Sequence, residues 1–520
     1  MKDIKESVLN ITSKYKVPIM CAIFVFIFFH IYIIQSHIFI ESDLSNMVLE
    51  ADDVLKGNLL LKGWYNEWFS TGITYLTTDL LYFLLSVKLL GISKASVFLG
   101  CSLYAFMSII TAFLLVKDDI KQLTITNLIF FLCLCGLSFP FIKALHVHCG
   151  CFVWGYIIFL LTAKYLETKN RKILIPICIL LTLSIFGDII IVTLTILPIW
   201  LYSICKIFHT KDFDTYVPLI ISSLTMFLIA ALGLKLYLNA AGIAYNYQPL
   251  TFIAGEDLFE NIILVGKQIP LVFGAAEFYK HRILNPYTNY LSLIALTILI
   301  VSVYLIYKNI KESLTNKNTD FISICLSYSI IIQVALLLLT TYNNDLYNAR
   351  YIAFMPINCA IIILRRYNYF ETFPKKQYAI ILSVLILTFF TSAFYSYNKY
   401  ERKVSTDYLQ EILEKQHLTH GINNEYWSSS SITVASKNKI KVRNIEVSRK
   451  GKIIPSEWFS KKDWYDEPVE FVAVNIKADN ANLLKNMYKD KAKKRIDFLE
   501  YNLFILKDEY RNSVNSQLSN

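Results

Sequence analysis

The sequence predicts an α-helical polytopic membrane protein with about eleven transmembrane helices and a small α/β domain at its C-terminal end. Three observations carry that expectation. Of 520 residues, 55% are hydrophobic and 18% charged, where soluble proteins carry about a quarter charged residues. Apolar runs of about 17 to 25 residues recur from Val17 to Tyr397, each long enough to cross a hydrocarbon core of roughly 30 Å. Beyond them the pattern changes, and residues 399–520 hold 22 Lys/Arg and 17 Asp/Glu, the composition of a solvated domain. A soluble enzyme, a nucleic-acid binder and a disordered scaffold are excluded. The net charge of +11 names no ligand, because loops that fix orientation carry such an excess in membrane proteins.

The first run, Val17 to Ile40, is 24 residues, too long for a secretory h-region and with no small-residue cleavage site after it, and reads as a retained transmembrane helix. Further spans are expected near 95–116, 123–139, 150–166, 173–186, 189–205, 216–234, 289–307, 321–341, 351–364 and 378–397. With the N-terminus cytoplasmic, the inner segments carry Lys2, Lys5, Lys14 and Lys16, then Lys164, Lys169, Arg171 and Lys172, then Lys308, Lys311 and Lys317, and finally Arg365, Arg366, Lys375 and Lys376. That is a positive-inside distribution. Residues 1–398 then form a multi-span domain with outer loops at 41–92 and 235–288, and 399–520 an extracytoplasmic domain. The first loop has seven acids against three lysines and ends in Leu80–Leu90, apolar enough to lie along the membrane surface; the second contains a helical segment, Asp257–Val272. In the tail, Thr406–Gln416 and Ala481–Lys494 read as helices, and Ser431–Ala435, Ile440–Val447, Phe471–Ile476 and Phe504–Leu506 as strands. The ten cysteines all precede residue 360, so disulfides do not hold the tail together.

Four places carry residues able to do chemistry. In Glu41 to Asn58 a helix would put Asp43, Met47, Glu50 and Val54 on one face, with Asp52 and Asp53 pointing elsewhere. Asp43 stands just beyond the apolar run, where a lipid headgroup and a water-soluble substrate meet; a solvated acidic loop is the plainer reading. In Lys143–Cys151, His146, His148, Cys149 and Cys151 are metal-ligand types, although four ligands this close in sequence rarely close a tetrahedron. His146 and His148 equally suit phosphate or sugar hydroxyls, or an interface with no special role. Asp188, after Gly187, marks a turn at the surface or a polar cavity, since a carboxylate at membrane depth costs roughly 2.5–3.5 kcal/mol. Arg350, directly before a span, is an interfacial anchor or a bidentate phosphate grip. The aromatic residues Tyr426, Trp427, Trp458, Trp464 and Tyr465 suit sugar stacking, a membrane interface or a small core.

The acidic segment Asp43–Asn58 with its Ala-Asp-Asp-Val-Leu-Lys-Gly-Asn pattern, the Gly-Asp188 turn, the Ala-Arg350-Tyr351 start of a late span and the overall layout resemble the GT-C superfamily of membrane glycosyltransferases, which use polyprenyl-phosphate sugars. The resemblance covers the whole membrane part through short, degenerate motifs. The tail, with Gly421, Tyr426-Trp427, Ile432-Thr433, Pro455, Trp458 and Trp464-Tyr465, is similar to tails of bacterial surface-polysaccharide transferases. Abundant Lys, Asn and Ile and the eleven-span layout resemble the serotype-converting O-antigen glucosyltransferases. The resemblance implies an inner (plasma) membrane protein that moves glucose from a polyprenyl-phosphate donor to a polysaccharide or glycolipid acceptor such as lipopolysaccharide O-antigen. It implies a catalytic first-loop acid, matched best by Asp43, with Glu50, Asp52 and Asp53 as stand-ins and Asp188 a further acid. The family often has a second acidic motif in the next outer loop, and here His146 and His148 stand instead, which leaves a divalent metal open.

The chemistry agrees with that placement. A carboxylate suits the task of taking the acceptor hydroxyl proton. The leaving phosphate is a weak base, and Arg350, His146 and His148 are the groups expected to hold it. A flippase or transporter would carry ionisable groups inside its spans and repeated halves. Spans 189–205, 291–307 and 321–341 contain no charged residue. A polysaccharide polymerase would rely on arginines in a large outer loop, and 235–288 offers only Arg282.

Overall fold

Helix α1, Lys16–Ser36, is apolar on every side, as a span facing both protein and lipid must be. The computed structural model describes residues 15–38, 40–65, 74–242, 251–274, 286–315, 320–366, 375–398, 405–447, 452–456 and 460–512. Lys2, Lys5, Lys14, Arg282, Lys317 and Trp458 lie outside the described residues. After α1 come α2 (Ser42–Leu55), the short strand β1 (Trp64–Tyr65), α3 (Leu80–Leu90), α4 (Lys94–Leu114), α5 (Ile125–Cys135), α6 (Phe139–Ala144), α7 (Cys149–Thr168) and α8 (Leu174–Gly187). A π-turn, Val192–Ile196, leads into α9 (Leu197–Thr210), followed by α10 (Phe213–Ala241), α11 (Gly255–Val272), α12 (Pro286–Leu314) and α13 (Phe321–Leu339). A 3-10 segment, Leu346–Ile352, precedes α14 (Met355–Arg366) and α15 (Lys375–Asn398).

Among the described residues, seven helices are long and apolar enough to cross a membrane: Lys16–Ser36, Lys94–Leu114, Cys149–Thr168, Val192–Thr210, Phe213–Ala241, Ser292–Leu314 and Phe321–Leu339. The chain is a helical protein of polytopic membrane type. Helix α10 turns Ile221, Leu224, Leu228, Leu232 and Leu236 outward, an apolar band that only lipid would accept in such number. Helices inside the bundle approach through small residues instead. On α4 the inward face carries Ser96, Gly100, Ala105, Ser108 and Ala112, and a Cβ at Gly100 would sit 2.7 Å from the Phe83 ring of α3. Helix α3 buries Leu80, Phe83 and Val87 and exposes Leu81, Leu85 and Leu89.

Charged contacts of the bundle stand at both of its ends. At the end where α14 finishes, Arg365 donates to Asp320 Oδ1 (2.7 Å) and to the Leu115 carbonyl (2.7 Å), and Arg366 donates to Asn309 (2.6 Å), tying α4, α12, α13 and α14 together. At the other end, where α14 begins, stand Arg350 and the residues described below.

The C-terminal domain is a six-stranded sheet between helices. Its elements are α16 (Ser405–Lys415), β2 (His420–Asn423), α17 (Tyr426–Ala435), β3 (Lys441–Val447), β4 (Ile453–Pro455), β5 (Ser460–Lys461), β6 (Phe471–Asn475), α18 (Ala481–Tyr488), β7 (Ala492–Phe498) and β8 (Tyr501–Leu506). The strand order is β4-β3-β2-β6-β8-β7, with β2 parallel to β3 and β6 and the other pairs antiparallel. Leu409 and Leu413 of α16 and Ile432 of α17 cover Val442, Phe471 and Leu503 on one face, each such side chain contributing about 1.5–3 kcal/mol. Leu484 and Tyr488 of α18 cover Val472, Val474 and Phe504 on the other. Gly421 is required where β2 passes β6, because a Cβ there would meet the Phe471 ring at 2.3 Å.

Two expectations for this domain are overturned. Ser431–Ala435 is not a strand but the second half of α17, despite its β-branched Ile432, Thr433 and Val434. The four serines before them, Ser428 to Ser431, are small enough to let the helix press against both α2 and the sheet, and that packing outweighs local propensity. The expected helix Ala481–Lys494 stops at Tyr488, and Ala492–Phe498 is the edge strand β7 paired to β8. Its exposed Lys493, Lys494 and Arg495 are the charges that keep an edge strand from pairing further.

The domain is fastened to the first loop. β5 pairs antiparallel with β1, the Trp64 and Trp464 rings meet edge to face at 5.1 Å, and α17 lies on α2.

Candidate functional site

Asp43 lies in the first turn of α2, the helix end that stabilises a carboxylate, and it is 4% exposed. Its Oδ1 accepts a 2.6 Å hydrogen bond from the hydroxyl of Tyr426, the first residue of α17. Its Oδ2 is 3.8 Å from Arg350 Nη1. Ser42 clamps the same junction, donating to the Tyr426 carbonyl and accepting from the Ser430 N–H at 3.3 Å. One turn on, the Asn46 amide reaches the Tyr426 hydroxyl at 3.4 Å.

Arg350 is held by its own segment. Asp345 starts the 3-10 turn by accepting the Asn348 N–H at 3.0 Å, and Gln268 of α11 braces it by donating to Asn343 (2.7 Å) and to the Asp345 carbonyl (2.8 Å). The guanidinium donates to the Tyr351 hydroxyl at 3.2 Å.

Behind Tyr351 lies a second, fully buried cluster. The His148 ring is 5.1 Å from that of Tyr351 and 5.7 Å from that of Tyr75. Its Nδ1 is 2.6 Å from Asp188 Oδ2, and its Nε2 is buried without a hydrogen-bond partner among the described residues. A carboxylate on Nδ1 favours the proton there and leaves Nε2 as an acceptor. His148 has φ +68°, left-handed for a side chain with a Cβ. Asp79 holds that turn, accepting the His148 N–H at 2.7 Å and the Gly150 N–H at 2.5 Å. A Cβ on Gly150 would lie 2.5 Å from the Thr78 backbone, so only glycine lets the two segments meet. Burial pushes the Asp79 carboxyl up to about 6, against the opposing pull of His148 and the Gly150 N–H.

The structure thus brings Asp43 and Arg350 together and sets His148 with Asp188 next to them through Tyr351. Glu50 lies along α2, fully buried. His146 is turned the other way, its Nε2 3.1 Å from Gln35 Oε1 and its Nδ1 3.8 Å from Glu41 Oε1. Asp52 pairs with Lys56 on the surface at 2.6 Å. Asp53 is a strut, accepting from Asn58 (2.6 Å), Trp64 (2.8 Å) and Lys461 (3.2 Å), so it holds β1 and β5 rather than the site. Asp79 and the Tyr426 contact escape sequence reasoning. Asp79 directly precedes the apolar Leu80–Leu90, and an acid in that position is the one local signal for it. No group of three His, Cys, Asp or Glu side chains converges as a metal would require among the described residues. The sequence matches no family model, and comparison with the curated proteins finds no match.

Proposed function

We propose that the protein is a membrane glycosyltransferase that moves a sugar from a polyprenyl-phosphate carrier to a hydroxyl of a cell-surface polysaccharide or glycolipid. Eleven crossings, a cytoplasmic N-terminus and a site at the outer face of the inner membrane belong to the same proposal. The observation that carries it is the buried Asp43–Arg350 pair, a carboxylate and a guanidinium 3.8 Å apart at one end of a lipid-facing bundle. In one inverting step Asp43 takes the acceptor O–H proton while the acceptor oxygen bonds the anomeric carbon. The bond from that carbon to the phosphate oxygen breaks, and its electron pair stays on the phosphate, whose charge Arg350 holds. Tyr426 covers the acid at rest and must leave Asp43 Oδ1 before an acceptor hydroxyl takes its place.

The test is transfer of labelled glucose from polyprenyl-phosphate-glucose to surface polysaccharide. Wild type and Asp52→Asn are expected to transfer, and Asp43→Asn at equal membrane abundance is not. Absence of transfer by wild type from any polyprenyl-phosphate sugar would overturn the reading in favour of a flippase or polymerase.

A further inference from the structure

A second cleft lies within the C-terminal domain, away from Asp43. It is a narrow cleft at the start of the parallel strands β2 and β3, partly open to solvent and with room inside for about one water-sized group. His420, Lys441, Arg443, Trp464 and Glu467 bring the polar and aromatic groups to it. Arg443 and Ile422 are register partners, so the arginine stands among the apolar side chains of the α18 face of the sheet. It is 8% exposed, and among the described residues its Nη1 has no hydrogen-bond partner and no carboxylate pairs with it. Its guanidinium lies over the Trp464 ring at 4.1 Å.

A buried cation without an anion is costly, because the ring quadrupole returns only about 2 kcal/mol even when desolvated. The nearest acid in the cleft, Glu467, is already engaged: one oxygen accepts from Lys441 at 2.7 Å and the other meets His420. Among the described residues that line it, the cleft therefore holds one more positive charge than it neutralises.

We propose that this cleft is an oxyanion-binding site, taking the oxygens of a phosphate or carboxylate group onto Arg443 and Lys441 beside Trp464, with the rest of the ligand outside in solvent. The proposal does not rest on the transfer reaction. A planar guanidinium matches both oxyanions in a bidentate way, and two sources of that chemistry are separable by probe. The purified full-length protein in detergent, free of phosphate buffer, is titrated calorimetrically with inorganic phosphate, D-glucuronate and glucose. Saturable one-to-one binding of phosphate, of glucuronate or of both is expected, with none for glucose. Phosphate alone marks a phosphorylated ligand and glucuronate alone an acidic sugar.

Arg443→Gln is expected to weaken binding at least tenfold while leaving the unliganded melting temperature equal or higher, because an unpaired buried charge is removed. Glu467→Gln, at a half-exposed position, removes the competing internal anion and should tighten phosphate severalfold. Failure of both oxyanions to bind wild type would overturn the site. So would binding that Glu467→Gln and a folded Arg443→Gln leave unchanged, the result expected if Arg443 only supports Trp464.

Discussion

The Tyr426 hydroxyl donates a 2.6 Å hydrogen bond to Asp43 Oδ1 across 383 residues of sequence, so the C-terminal domain closes directly over the acid at the end of the bundle. The contact joins the two halves of the chain at the one carboxylate that also faces Arg350. Tyr426→Phe removes the bond and keeps the ring. A loss of about 1.5–3 kcal/mol in docking is expected, the range for a hydrogen bond to a charged group. Limited proteolysis of the full-length protein, faster in the variant than in wild type, checks it.

Arg350→Gln leaves the Asp43 charge buried beside an uncharged amide and takes away the group that would hold a leaving phosphate. Transfer is expected to fall by about 10²–10³, the usual effect of deleting one charge-stabilising donor. Arg350→Lys keeps the charge and loses the fork, so it should recover part of the rate and retain a raised KM for the polyprenyl-phosphate sugar. Steady-state kinetics on the three proteins decides.

Asp79 gives a pH dependence whose sign follows from burial. Its folded value of about 6 lies above the ordinary carboxyl value of 3.8, so the folded state binds the proton more tightly. The contribution to stability is full below about pH 4, falls as pH rises toward 6 and is absent above, a change on the order of 3 kcal/mol. Asp79→Asn has no such titration. The melting-temperature difference between wild type and Asp79→Asn should therefore shrink between pH 4 and 6 and stay flat from 6 to 8.

Asp52 and Asp53 are neighbours with opposite expected behaviour. Asp52→Asn breaks an exposed i,i+4 pair worth about 0.3–0.5 kcal/mol and should change nothing measurable. Asp53→Ala strips acceptors from Asn58, Trp64 and Lys461 at once. It should lower the melting temperature by several degrees and expose Trp464, read as a red shift of tryptophan emission.

Asp188→Asn takes the charged acceptor away from His148 Nδ1–H and leaves the buried imidazole beside an uncharged amide. Destabilisation of about 1.5–3 kcal/mol, the range for a hydrogen bond to a charged group, is expected, with loss of folded protein in membranes measured by fluorescence-detected chromatography.

Much of the architecture was legible in the residues themselves. Long apolar runs have one solution in a bilayer, since every backbone donor and acceptor must be paired within the segment. Each run named from hydropathy therefore contains a helix, from Lys16–Ser36 to Lys375–Asn398, although the run at 123–139 holds only the eleven residues Ile125–Cys135 before Gly136 ends the helix, and among the described residues seven helices are long and apolar enough to cross. The face shared by Asp43, Met47 and Glu50 follows from the 3.6-residue period of the Ser42–Leu55 helix, but its burial does not: every residue from Ser42 to Ala51 is buried, because the C-terminal domain covers the side that a solvated acidic loop would leave in water. The tail resisted that method. Ser431–Ala435 has β-branched residues and is helical, and Ala492–Phe498 looks like the continuation of a helix and is a strand.

Hydropathy and composition thus determined which segments are apolar helices, where the polar domain begins and which acids stand at the ends of apolar runs, because those depend on transfer of side chains from water and act locally. Only the tertiary structure decided that Asp43 meets Arg350 and Tyr426, that Asp79 holds the His148 turn and that Asp53 is a strut. Those relations depend on contacts between residues distant in the chain, where small residues such as Gly150, Gly421 and Ser428 let segments approach and a buried charge takes whatever partner that approach supplies.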